Sequence, residues 1–420
     1  MMKERVGWVI AIVLVAIIVG ASAFYAGRAT APVEVVEVPP KPPREIIIGA
    51  TLSMSGPFVG DVDPFDEMMS TFFEMINERG GLYVKEYGMR LPVKFIIYDD
   101  KSDLATSVKF YEKLITEDKA DLLIGPYSSK ITMGVGPVAE KYGKPIIWTE
   151  AQAPPVFAQG WKWAVGVLDP DPKSWGGNYF YYVVKPLIEE GKVKTIALVN
   201  EDIVHSVFVN KGAKMMAEEV GLEIVFEESF PTGAKDFSGL LPKLKAADAD
   251  IVHFAACTPH SGTLFIKQAE EYGLKPKEFH VSEPVWGMIE PLGKDADYIT
   301  GESYYAPGAY QGPLGDAGFI EELAERVGFK PEEWVWFGIH YPALQAAAAA
   351  IEMADSLKPE DLIKALKTLN VMTVSGPLSF DPETGKGSLK CVAVQVFDLK
   401  YRVISPPEVA TGPHEFPTPA

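Results

Sequence analysis

Two adjacent serines, Ser128 and Ser129, follow Gly125-Pro126 and precede a segment ending in Val135, Gly136, Pro137, Val138 and Ala139. Glycine and proline stop the apolar run Leu122, Leu123, Ile124 and turn the chain. Serine hydroxyls and the unpaired N–H groups of a helix's first turn then form a seat for an anion such as a carboxylate. A serine that only caps the helix is the competing reading of Ser128, so an anion site needs partners from elsewhere. Other groupings offer less. His253, Cys257 and His260 have metal-ligand side chains, but they are three where a structural zinc takes four, and His253 falls inside an apolar strand. Ser129, His205 and an acid would make a nucleophile and base, yet no nucleophile-elbow sequence surrounds the serine. Gly49 is followed by ATLSMSG, without the glycine spacing of a dinucleotide-binding turn. These patterns favour binding over catalysis, with neither cofactor nor metal.

The elements that carry the serines read as one βαβ unit over residues 121–147. Before it, 46–50 is a β-branched strand, Met68, Met69, Phe72, Phe73 and Ile76 mark an amphipathic helix, 93–98 is a strand, and Leu104, Val108, Tyr111, Leu114 and Ile115 mark a second helix. A second series follows the proline-rich stretch 168–172: strands at 195–199, 222–227, 251–256 and 278–281, with helices at 209–220, 237–247 and 264–272. Residues 338–353 read as a buried helix, and 374–380 and 390–399 as closing strands. Strands alternating with helices predict two Rossmann-like α/β lobes with mostly parallel sheets, and a ligand site at the strands' C-terminal edge. The expected lobes are 45–168 with 306–376 and 169–305 with 377–405, with crossings near 166–172, 304–308 and 376–381 and a C-terminal tail at 406–420.

Composition narrows the partners. The 420 residues carry 57 Asp and Glu against 39 Lys and Arg, a formal charge of -18, which repels nucleic acid. Residues 6–27 hold no charge and are long enough to cross a bilayer, with Lys3 and Arg5 before them and Trp8 and Tyr25 near their ends. This predicts an N-terminal anchor at 1–28 with the rest outside; a cleaved signal peptide ending near Ala21-Ser22-Ala23 is the alternative. Residues 29–44 are proline-rich and read as an extended tether. Cys257 and Cys391 are open to pairing or to two free thiols.

The order of motifs resembles the solute-binding proteins of ABC importers with the type I periplasmic-binding fold, in the leucine/isoleucine/valine-binding branch. It rests on Leu52-Ser53-Met54-Ser55-Gly56-Pro57, Ile76-Asn77-Glu78-Arg79-Gly80-Gly81, Tyr98-Asp99-Asp100, Leu123-Ile124-Gly125-Pro126-Tyr127-Ser128-Ser129, Lys235-Asp236-Phe237-Ser238 and Gly376-Pro377-Leu378. The resemblance implies lobes joined by a three-segment hinge, an amino acid between them, and ABC permease subunits as partners. It assigns the ligand carboxylate to Ser129, Ala151 and Gln152, and the ammonium to Glu283. It also places His205 where the family often has a stacking tyrosine, and Gln152 where it has a smaller hydroxyl residue. Phe58, Asp61 and Trp286 are candidate pocket residues, with Asp63 beside Asp61. A sensory ectodomain of the same fold, or a binder of a small amide, is the alternative.

Overall fold

The computed structural model describes residues 42–62, 64–256, 258–331 and 336–419. The expected anchor at 1–28, most of the tether at 29–44, Asp63 and Cys257 lie outside them. No described helix is long and apolar enough to cross a membrane.

The strands are β1 Ile46–Leu52, β2 Val93–Asp99, β3 Leu122–Ile124, β4 Ile146–Trp148, β5 Ala164–Leu168, β6 Thr195–Glu201, β7 Glu223–Phe230, β8 Ile251–Ala255, β9 Glu278–Val281, β10 Thr300–Ser303, β11 Lys386–Leu389, β12 Val392–Phe397 and β13 Lys400–Ser405. Six form the first sheet in the order β11-β5-β4-β3-β1-β2, all parallel. Seven form the second in the order β13-β12-β10-β9-β8-β6-β7, parallel from β10 to β7 and antiparallel at β12 and β13. Sequence patterning missed β5, β10, β11 and β13.

The helices that matter here are α1 Phe65–Glu78, α2 Leu104–Thr116, α3 Ser129–Tyr142, α4 Pro172–Tyr179, α5 Val204–Val220, α6 Pro259–Glu271, α7 Ala317–Val327 and α8 Phe337–Met353. They cover both faces of the sheets, so the central strands are apolar on both sides. In β3, Leu122 and Ile124 join the core containing Met68 and Phe72 of α1, while Leu123 between them joins the core containing Leu114 of α2 and Val135 of α3. That alternation is the strand's two-residue period made visible. Helix α8 is buried almost throughout, and a Cβ on Gly338 would lie 2.2 Å from the carbonyl oxygen of Tyr304.

The chain passes between the sheets three times. It leaves the first after β5, returns after β10 to reach α7, which packs on α1, and leaves again between Leu389 and Val392. The last passage corrects the crossing expected at 376–381 and the assignment of 377–389 to the second lobe. β11 pairs with β5 in the first sheet, whereas β12 pairs with β10 in the second. The Gly376-Pro377 break marks a hairpin turn instead: Asn370–Thr373 pairs with Gly376–Ser379, and Gly376 adopts φ 107°. The strand expected at 374–380 is the second strand of that hairpin, beginning at Gly376 after the turn at 374–375. The C-terminal stretch is docked on the second lobe, with Thr411 N donating to Val403 O at 2.8 Å and Thr418 N to Lys277 O at 2.9 Å.

Candidate functional site

The C-terminal ends of both sheets open on one cavity. The first lobe supplies Phe58, Tyr127, Ser128, Ser129, Glu150 and Trp336; the second supplies Trp175, Ile203, His205 and Glu283. The cavity proper is about 50 Å³, so the lining side chains nearly fill the space between the lobes in this arrangement.

The loop after β1 brings Phe58 to the rim and is held from beneath by a buried carboxylate. Asp100 accepts from Thr51 Oγ1 at 2.9 Å, Ser53 Oγ at 2.8 Å and Ser102 N at 3.0 Å. Gly56, at φ 90°, lies where a Cβ would come within 2.7 Å of Lys101 O, so the turn admits only glycine. Phe58 then meets Tyr127 edge to face at 5.2 Å.

The serine turn follows β3. Ser128 has φ 79° and ψ 159°, a region that residues with a Cβ rarely occupy, at a cost of about 1–3 kcal/mol. Its Oγ is buried without a hydrogen-bond partner. Ser129 starts α3, and its Oγ accepts from Ala153 N at 3.4 Å, leaving its hydroxyl hydrogen to donate. The first-turn N–H groups of α3 have no intrahelical acceptor. Together these atoms give the first lobe unspent donors that could seat an anion.

Glu283 lies two residues past β9, buried, with Oε1 2.7 Å from Nε2 of His205 in the first turn of α5. Burial pushes its pKa up; His205 opposes that, and the neighbouring carboxylates of Glu150 and Glu201 add to it. The His205 ring stands edge-on to Trp175 at 4.7 Å. On the other lobe Glu150, two residues past β4, has Oε1 2.5 Å from Nε2 of His340 in α8. Neither histidine contact has hydrogen-bond alignment, since His205 Nε2, His340 Nε2 and Glu150 Oε1 all lack an aligned partner.

Behind the cavity the second lobe holds a buried polar chain. His280 contacts Glu302 Oε1 at 2.9 Å and Thr300 Oγ1 at 3.0 Å, Thr300 donates to Glu278 at 2.9 Å, and His414 reaches Glu278 Oε2 at 2.6 Å. Burial pushes Glu302 well above the ordinary carboxylate range and lowers His280 to about 3. Both shifts favour neutral forms, so His280 and Glu302 are a neutral hydrogen-bonded pair rather than a salt bridge.

Ser128, Ser129, His205, Glu283 and Phe58, singled out from the sequence, thus meet at one cavity. Ala151 and Gln152 do not line it. Ala151 is buried in the core beneath, and Gln152 Nε2 donates to Asp169 O at 2.8 Å, tying two first-lobe loops together. Trp286 opens a short helix and packs half-buried against the second lobe's core. The side chain of Asp61 lies outside the described residues. Cys391 is a buried free thiol, and His260 is exposed. Sequence reasoning missed Glu150, Tyr127, Trp175 and Trp336. Glu150 carried a usable signal, a charge directly beyond the apolar strand Ile146-Ile147-Trp148; Trp175 and Trp336 had no local signature.

Residues 45–400 match the family described as Periplasmic binding protein. A leucine-, isoleucine-, valine-, threonine-, and alanine-binding protein of Pseudomonas aeruginosa is 27% identical over 357 residues, covering 83% of this chain and 89% of its own length. The Leu/Ile/Val-binding protein of Escherichia coli (strain K12) is 26% identical over 362 residues, covering 84% and 91%. Among solved structures, a branched-chain amino acid transporter substrate binding protein from Streptococcus pneumoniae in complex with isoleucine aligns with TM-score 0.72 at 19% identity, covering 85% of this chain and 98% of its own. An ABC transporter solute binding protein from R. palustris in complex with 4-hydroxybenzoate aligns with TM-score 0.69 at 19% identity, covering 85% and 95%. At such identities the structures establish a shared two-lobed fold, and the match over 45–400 makes this chain a member of the periplasmic binding protein family.

Proposed function

We propose that this protein is the extracellular solute-binding component of an ABC importer, a non-catalytic receptor that captures an amino acid between its lobes and presents it to permease subunits. In this reading residues 6–27 keep it at the outer face of the cell membrane. The observation that carries the proposal is the pairing of opposite chemistries across one cavity. An anion seat at Ser128 and Ser129 faces from one lobe, and a buried carboxylate, Glu283, from the other. A zwitterion spans the two and so binds fully only when the lobes are together. The fold alone does not choose the ligand, because relatives of this fold hold isoleucine in one case and 4-hydroxybenzoate in another. An aromatic acid suits this cavity less, since its two glutamates repel a lone anion.

Calorimetry on the purified full-length protein tests the reading. Glu283→Ala is expected to weaken an amino acid by roughly 2–5 kcal/mol, because a desolvated ammonium loses its partner. Ser129→Ala should cost about 1 kcal/mol, since neighbouring N–H groups still hold the carboxylate. Unchanged affinity in Glu283→Ala would mean that the cleft does not read an ammonium.

A further inference from the structure

An α-amino acid needs one anion seat and one carboxylate, and Ser128, Ser129 and Glu283 already provide them. The cavity holds a second carboxylate that this pairing does not use. The Glu150 side chain is 7% exposed, lines the cavity from the first lobe, and has Oε1 buried without an aligned hydrogen bond. A carboxylate so desolvated is costly unless paired. His340 is a neighbour at 2.5 Å, yet its Nε2 is off the hydrogen-bond direction. The cleft therefore carries one glutamate on each lobe, and Lys130 at its edge is exposed.

Resting on the amino-acid reading above, we propose that the cleft selects amino acids bearing a second cationic group, of the lysine, ornithine and arginine class, with Glu150 reading that group. Glu150 already raises the proton affinity of Glu283, which shows that the two carboxylates feel one another. A ligand of net positive charge relieves that repulsion on both lobes. A neutral aliphatic side chain would give Glu150 no partner beyond His340, and an acidic one would add a further negative charge. The remaining walls suit the same class: Ile339 offers an apolar surface for a methylene stem, and Phe58, Tyr127 and Trp336 offer aromatic rings that attract cations.

The decisive probe is the pair L-lysine and L-norleucine, which share a four-carbon side chain and differ by the terminal ammonium that lysine carries in place of a hydrogen. L-arginine and L-leucine are measured beside them by calorimetry on the full-length wild type, on Glu150→Gln and on Glu283→Gln. The wild type is expected to bind lysine or arginine at least 30-fold tighter than norleucine and leucine. Glu150→Gln should remove most of that preference while leaving norleucine within about threefold, and Glu283→Gln should weaken every amino acid. Norleucine or leucine binding as tightly as the basic pair in the wild type would overturn the role of Glu150 and leave the amino-acid reading standing. No binding of any of the four would overturn both. The wild-type comparison needs no variant, so misfolding of Glu150→Gln cannot shelter the proposal.

Discussion

Glu302 shows how burial sets chemistry at a single residue. Its pKa is raised well above 4.5 by desolvation, with Glu283 nearby adding to the rise. The folded state therefore keeps a proton that the unfolded chain has released. Between the ordinary carboxylate value and the raised one, the stability contributed by this residue falls as pH rises. Its partner His280 runs the other way: with its pKa lowered to about 3, its contribution is complete above the ordinary value of 6.5 and is lost as pH falls toward 3. Glu302→Gln keeps a polar group against His280 but cannot ionise. It should leave the melting temperature near wild type at pH 4.5 and raise it relative to wild type at pH 8; an unchanged difference between the two pH values would show that Glu302 does not titrate as its burial implies. None of this was legible in the sequence, where Glu302 follows Thr300 and Gly301 with no apolar pattern around it. Ser129 was reached from its place between a glycine-proline stop and a helix start, and Glu283 through motif resemblance, whereas Glu150 meets His340 from the far end of the chain, a contact that no local spacing encodes.

At the scale of elements, the alternation of strands and amphipathic helices was readable because each buries a repeating face. β3 has a clean apolar run and α1 repeats at three- and four-residue steps. Helix α4 escaped because Gly176 and Gly177 lower its intrinsic propensity, and β10 escaped because Thr-Gly-Glu-Ser is buried through polar contacts rather than an apolar stripe. The packing of α4 on α5 offers a test. A Cβ on Gly212 of α5 would lie 2.0 Å from the carbonyl oxygen of Pro172, the first residue of α4. Alanine would gain about 1 kcal/mol of helix propensity, but displacing backbone typically costs about 1–3 kcal/mol. The clash should win at so short a separation. Gly212→Ala is expected to lower stability in chemical denaturation by about 1–2 kcal/mol and, because α4 carries Trp175 into the cavity, to weaken ligand binding as well. Higher stability in the variant would show that α4 moves aside freely.

At the scale of the whole molecule, the two lobes meet across the cleft. Trp175 of the second lobe and Trp336 of the first have ring centroids 6.0 Å apart, and α3 touches α5. An open form must separate these rings, so ligand should draw them together and compact the protein. We expect a smaller radius of gyration in X-ray scattering on adding ligand, with a change in tryptophan fluorescence that is mostly lost in Trp175→Phe. A fluorescence change with no compaction would mean that the ligand enters lobes already closed. Two of the three passages between lobes lie near proline- or glycine-rich breaks seen in the sequence. The third was misplaced because a hairpin turn and an interlobe passage favour the same residue types, and only pairing partners tell them apart.

The docked C-terminal stretch also closes off a hazard. β13 is the outermost strand of the second sheet, and an uncovered edge strand is a template on which other chains can add and aggregate. Thr411 spends its N–H on Val403 of that strand, and Glu415 N donates to Gln395 of β12 at 2.9 Å. Residues 411–415 thus occupy part of the border on which another chain could otherwise add, a contribution made away from the residues that line the cleft.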